Sequence, residues 1–172
     1  MKKSYVQVYT GNGKGKTTAC LGLILRACGA GLRVYLGQFI KAQQTSEIKS
    51  LKKRFPEVRV EQYGPECFII GSPCIKDRKI ALAGFAKLKS AVMSGKYDLV
   101  IADEINPAVA IKLLPLKDVV RLIKAKPEHV ELVLTGRSAH RDIIRLAQLV
   151  TEMKNIKHYF DSGVKSRKGI EE

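Results

Sequence analysis

Short apolar runs rich in β-branched residues alternate along this chain with longer segments whose hydrophobic positions recur every three or four residues. The runs "SYVQVYT" (4–10), "RVYLGQFI" (33–40), "VRVEQ" (58–62), "YDLVIAD" (97–103), "VELVLTG" (130–136) and "AQLVTEM" (147–153) predict strands. Helical patterns lie over 16–30, 46–54, 76–94, 116–126 and 141–147. The first ends in "CGAGL", where Gly29 or Gly31 supplies a left-handed stop, and Gly95 and Pro127 end two others. Strands that alternate with helices predict an α/β fold in three layers, with a mostly parallel central sheet covered on both faces.

No repeat, low-complexity run or linker interrupts this alternation, so residues 1–172 read as a single domain with a basic tail at about 154–172. The longest irregular segment is "YGPECFIIGSPCIKD" (63–77). Following the third strand, it is either a wall of the substrate site or a surface excursion packed by Phe68, Ile69 and Ile70. No stretch is apolar for the roughly 18 residues of a membrane span, and "MKKSYVQVYTG" lacks the apolar core of a signal peptide, which together predict a cytoplasmic protein.

Lysine and arginine outnumber the acids 31 to 16, a formal charge of +15 that suits an anionic ligand or a solvated lysine-rich surface. Cys20, Cys28, Cys67 and Cys74 form no C-x-x-C pair, and His129, His140 and His158 lie far from them. That spacing excludes a zinc site and leaves the cysteines as buried thiols.

"TGNGKGKTTAC" (10–20) stands between the first strand and the first helix, the setting of a phosphate-binding loop. Gly11, Gly13 and Gly15 let backbone amides turn toward one concavity, and the helix N-terminus adds its positive end. Lys16 brings a full charge, Thr17 a hydroxyl for Mg²⁺, and Thr18 a second hydroxyl. Lys14 is expected to point into solvent. The loop is one residue short, because Thr10 occupies the position of the usual first glycine.

"DLVIADEIN" ends an apolar strand in Asp103 and Glu104, the way a parallel-sheet NTPase presents an acid to the metal beside its loop. Asn106 either supports that network or caps the turn before Pro107. "LVLTGR" puts Thr135 and Arg137 on the same edge of the sheet, where Arg137 either neutralises polyphosphate or makes a structural ion pair. Arg26, nine residues past Thr17, falls on roughly the opposite helical face.

"YTGNGKGKTTAC", "QFIKA", "DLVIADEIN", "ELVLTGR", "LVTEMK" and "DSGVKSRKGIE" occur in the order and spacing of the ATP:corrinoid adenosyltransferases of the CobA/CobO/BtuR type, which this chain resembles over nearly its whole length. The resemblance implies a RecA-like P-loop NTPase fold in which the short loop grips the terminal phosphate of a reversed ATP. It implies transfer of the 5′-deoxyadenosyl group of ATP to the cobalt of a Co(I) corrinoid, with triphosphate as leaving group. The nucleophile is then cobalt, which accounts for a sequence with no Ser/His/Asp or Cys/His constellation.

Carried over by motif, Asn12 through Thr18 hold the phosphates, and Gly11 and Arg137 are taken with them as nucleotide-binding residues. Thr17 and Glu104 serve Mg²⁺ or Mn²⁺ with Asp103 in support, and Lys16 and Glu104 are the residues assigned to catalysis. "QFIK" and the 63–75 loop lie toward the corrinoid, and the partners implied are a second copy in a homodimer and a flavodoxin-like reductant. Two departures mark the corrinoid side. The chain begins almost at the loop strand, where longer members have an arm, and it reads "PECFIIGSP" where many carry Gly-Phe-Thr-Trp. The rival readings are a RecA-like nucleic-acid-dependent ATPase and a nonenzymatic ATP-dependent switch. The first wants aromatic stacking positions, and aromatics are only 6% of residues.

Overall fold

The computed structural model describes residues 3–41, 43–64 and 73–171. Six strands form one sheet: β1 (Val6–Thr10), β2 (Val34–Phe39), β3 (Val58–Tyr63), β4 (Leu99–Asp103), β5 (Glu131–Thr135) and β6 (Leu149–Glu152). Their order is β3-β2-β4-β5-β1-β6, and every pairing is parallel.

The α-helices between them are α1 (Lys16–Gly29), α2 (Ser46–Arg54), α3 (Ile75–Met93), α4 (Ile105–Ala110), α5 (Leu116–Ala125) and α6 (Arg141–Leu146). Predicted and observed boundaries agree to within two residues at the predicted elements. Gly31, at φ +72°, is the left-handed stop after α1, whereas Gly29 is still helical. Two elements escape the sequence pattern: α4, and a 3₁₀ turn at Tyr159–Ser162 within the basic tail. Pro107 disguises α4, but as the third helical residue it occupies the first turn, where the missing N–H breaks no intrahelical bond.

The period-2 alternation of the central strands explains the layers. Val100, Leu132 and Leu134 face one side, where they pack with Phe85, Leu88, Ile105, Leu122 and Ile143 from α3–α6. Leu99, Ile101 and Val133 face the other and pack with Cys20, Ile24, Ile48 and Leu51 of α1 and α2. β6 is the exception, exposed at all four positions on the sheet's edge. Parallel strands that all end on one side carry β1, β2, β4 and β5 to a common edge, and register sets Gln38 opposite Asp103 and Tyr9 opposite Thr135. Most of the irregular 63–77 segment, including Cys67 and Phe68–Ile70, lies outside the described residues. Its last three positions, 75–77, open α3.

Candidate functional site

The loop between β1 and α1 is laid against the end of β6. The Gly13 amide donates to Met153 O at 2.6 Å. A Cβ on Gly11 would stand 2.4 Å from that oxygen, and one on Gly13 2.8 Å from Lys154 O, so both positions exclude a side chain. This corrects the expectation that all three loop glycines turn their amides to the concavity, because one amide is used to fasten the loop to the neighbouring strand. Lys16 is buried and folds back on its own loop, donating from Nζ to Gly11 O at 2.8 Å and Gly13 O at 2.6 Å. Burial pulls its ammonium below the ordinary lysine range, opposed by the nearby charge of Glu104.

At the end of β4, Asp103 is fully buried and surrounded by donors. Thr17 Oγ1 lies 3.1 Å from Oδ1, Thr135 Oγ1 2.6 Å from Oδ1, and Gln38 Nε2 2.9 Å from Oδ2. Gln62 Nε2 in turn donates to Gln38 Oε1 at 2.9 Å. Glu104 adopts the left-handed region at φ +58°, which ends the strand abruptly and brings its amide to Thr135 Oγ1 at 3.0 Å. Gly136 makes the adjoining space: a Cβ there would lie 2.2 Å from Pro107 Cδ and 3.0 Å from Glu104 Oε2. Burial first, and then the charge of Asp103, raise the Glu104 carboxyl above the usual carboxylate range.

A cavity of about 370 Å³ joins these parts. Gly13, Lys14, Gly15, Lys16, Thr17, Thr18, Glu104 and Arg137 line it, together with Lys41 and the 169–171 stretch. Among the described residues Arg137 makes no ion pair within 4.0 Å, so the structural-pair alternative finds no partner there. Gly11 and the exposed Asn12 stand outside the lining, Gly11 contributing only its carbonyl to Lys16. Arg26 is exposed and also outside it, in keeping with its helical phase. Lys14 does not point into free solvent as expected, because its ammonium is held by Tyr159 and Glu171. Asn106 is buried in α4 and donates to Gly136 O at 3.4 Å, bracing the β5 end rather than entering the acid network.

Sequence reasoning missed the second layer of this site. Gln38 lies in "QFIK", the stretch expected to face the corrinoid, yet its amide is fully buried against Asp103. The available signal was a long polar side chain within an otherwise apolar strand. The arrangement offers cations, a hydroxyl and two carboxylates but no nucleophile: Cys20 is buried, and its thiol is pushed far up by that burial. Among the described residues no three His, Cys, Asp or Glu side chains are grouped to hold a metal by themselves. No described helix is long and apolar enough to cross a membrane.

Residues 2–171 match the family described as ATP:corrinoid adenosyltransferase BtuR/CobO/CobP. The chain belongs to this family. Corrinoid adenosyltransferase CobA of Salmonella typhimurium is 35% identical over 99% of this chain and 86% of its own length. The corrinoid adenosyltransferase of Escherichia coli K12 is 34% identical with the same coverage, and that of a Sinorhizobium species is 37% identical over 99% of this chain and 81% of its own. Membership in an adenosyltransferase family suits a cavity that gathers cationic side chains, a hydroxyl and an acid.

Proposed function

We propose that this protein transfers the 5′-deoxyadenosyl group of ATP to the cobalt of a Co(I) corrinoid and releases triphosphate. The observation that carries this reading is the single cavity shared by Lys16, Thr17, Glu104 and Arg137, which can bind a polyphosphate and stabilise its departure but supplies nothing to attack it. Reduced cobalt attacks C5′, the C5′–O bond breaks, and the electron pair leaves on triphosphate. Lys16 exchanges its loop carbonyls for phosphate oxygens, and Arg137 offers a second cation. The site positions the two substrates and receives the growing charge of the leaving group.

The Thr17 hydroxyl and the Asp103 and Glu104 carboxylates are hard oxygen donors, and Glu104 is a partly buried acid beside a fully buried one, a set that fits Mg²⁺ or Mn²⁺. Thr17 and Glu104 would hold the ion with Asp103 behind them. When bound, it neutralises triphosphate charge.

The strand order supports a RecA-like P-loop fold, because β5 separates the loop strand β1 from the acid strand β4. Residues 1–172 act as one catalytic domain in the cytoplasm. A homodimer, and a flavodoxin-like protein as source of the cobalt electron, complete the reading by family resemblance. Light scattering that finds only an active monomer would exclude the dimer. The reaction itself is tested by anaerobic incubation with Mg·ATP and chemically reduced cobalamin under ³¹P NMR. Inorganic triphosphate is expected in step with a photolabile alkylcorrinoid. ADP formed without corrinoid and stimulated by DNA or RNA would replace this reading with the nucleic-acid ATPase.

A further inference from the structure

The loop lysine that departs from expectation is bound to an anion supplied by the chain. Lys14 Nζ lies 2.8 Å from Glu171 Oε1 and 2.8 Å from Tyr159 Oη. Arg167 grips the same carboxylate from the other side, with Nη2 3.0 Å from Oε1, and Nε and its backbone amide 3.2 and 2.8 Å from Oε2. The Tyr159 hydroxyl also bonds Glu171, and both cations stand over the Tyr159 ring, at 5.5 Å for Lys14 and 5.0 Å for Arg167. Arg167 first, then Lys14 and Tyr159, hold the Glu171 carboxyl far below the usual carboxylate range. Gly169, Ile170 and Glu171 line the same cavity as Lys16, Thr17 and Glu104.

We infer that Lys14, Tyr159 and Arg167 form an oxyanion site at the mouth of the phosphate cradle, filled here by Glu171, from which a phosphate group of the nucleoside triphosphate displaces that carboxylate. The inference rests on the ATP reading above. An ammonium, a guanidinium fork, a phenol and a backbone amide converging on two oxygens are equally suited to a carboxylate and to a phosphate. The two anions cannot share these donors without facing like charge. Triphosphate must therefore exchange with Glu171, and the 159–171 segment is released as it does so. An orthophosphate, with less charge and no anchor on Lys16, competes poorly for the site. The internal acid thus favours polyphosphate over the simple anions of the cell.

Isothermal titration of inorganic tripolyphosphate into the full chain and its variants tests this. Glu171→Gln is expected to bind it roughly three- to tenfold more tightly, as removal of a partly exposed competing charge allows. Arg167→Met added to Glu171→Gln is expected to give back most of that gain. Hydrogen exchange over 159–171 should quicken when the wild-type chain is saturated. Unchanged or weaker binding by Glu171→Gln overturns the inference and leaves the ATP site standing. No binding by the wild-type chain overturns the ATP site itself, and the inference with it.

Discussion

Thr17, in the first turn of α1, reaches Asp103, the last residue of β4, with Oγ1 3.1 Å from Oδ1 and 3.3 Å from Oδ2. The contact bridges α1 to a strand that is not the neighbour of β1 in the sheet. With its proton directed to Asp103, the hydroxyl keeps its lone pairs for a cation. Thr17→Ala is expected to lower the rate about 10²-fold and to raise the Mg²⁺ needed for half-maximal rate, while Thr17→Ser retains most activity. Triphosphate formation at graded Mg²⁺ measures both.

Lys16→Ala and Glu104→Ala are each expected to cost about 10²–10³ in turnover, the usual loss when one preorganised contact to developing charge is removed. The fold should persist in both, as circular dichroism would report. Near-normal rates in the two variants would dissolve the assigned site.

The directions of the two pKa shifts in the free protein predict a bell-shaped pH dependence of kcat/KM for Mg·ATP. Glu104 is raised by burial and by Asp103, so the acid limb should fall above the ordinary carboxylate range as the carboxylate becomes protonated and inactive. Lys16 is lowered by burial, so the alkaline limb should fall below the ordinary lysine range. Glu104→Gln should leave whatever activity remains without the acid limb.

The same shift has a stability consequence. A carboxyl whose folded pKa is raised stabilises the fold below its unfolded pKa, and that contribution is lost as pH rises through the folded value. At neutral pH the charged Glu104 is therefore a net cost, and Glu104→Gln should melt higher than wild type. The rise should be about 2–4 °C for each kcal/mol relieved in a chain of this size, and the advantage should shrink in acid. A variant that melts lower at pH 7 contradicts the burial of this charge.

Gly136→Ala should be strongly destabilising. Its φ of +118° is strained for any side chain, and the added Cβ would meet Pro107 Cδ at 2.2 Å. Overpacking and backbone strain together predict a loss of about 2–4 kcal/mol, read from urea denaturation.

Periodicity and stop signals disclose the order of strands and helices because local patterning determines both. Loop and acids are legible too, since Gly15-Lys16-Thr17 and Asp103-Glu104 each follow an apolar strand. What escapes is what depends on register and on distant chain. Gln38 meets Asp103 only because β2 and β4 pair in one particular alignment, and the Gly13 amide is diverted only because β6 ends beside it. Glu171 comes to Lys14 across 157 positions of sequence, which no local pattern encodes.

The amide chain behind Asp103 has a direction. Gln62 Nε2 donates both to Gln38 Oε1 and to the backbone carbonyl of Gln43, each at 2.9 Å, so the orientation of one amide fixes that of the next. Gln38 is thereby left with only its NH₂ to offer Asp103. A main-chain oxygen beyond β2 thus agrees with the carboxylate on which way a side chain points at the heart of the acid network. Gln62 and Asp103 thus hold Gln38 in the same orientation from its two ends, and drawing Gln62 away would remove a donor from its Oε1. β3 therefore bears on the acid through two amides in series, although none of its own atoms bonds Asp103.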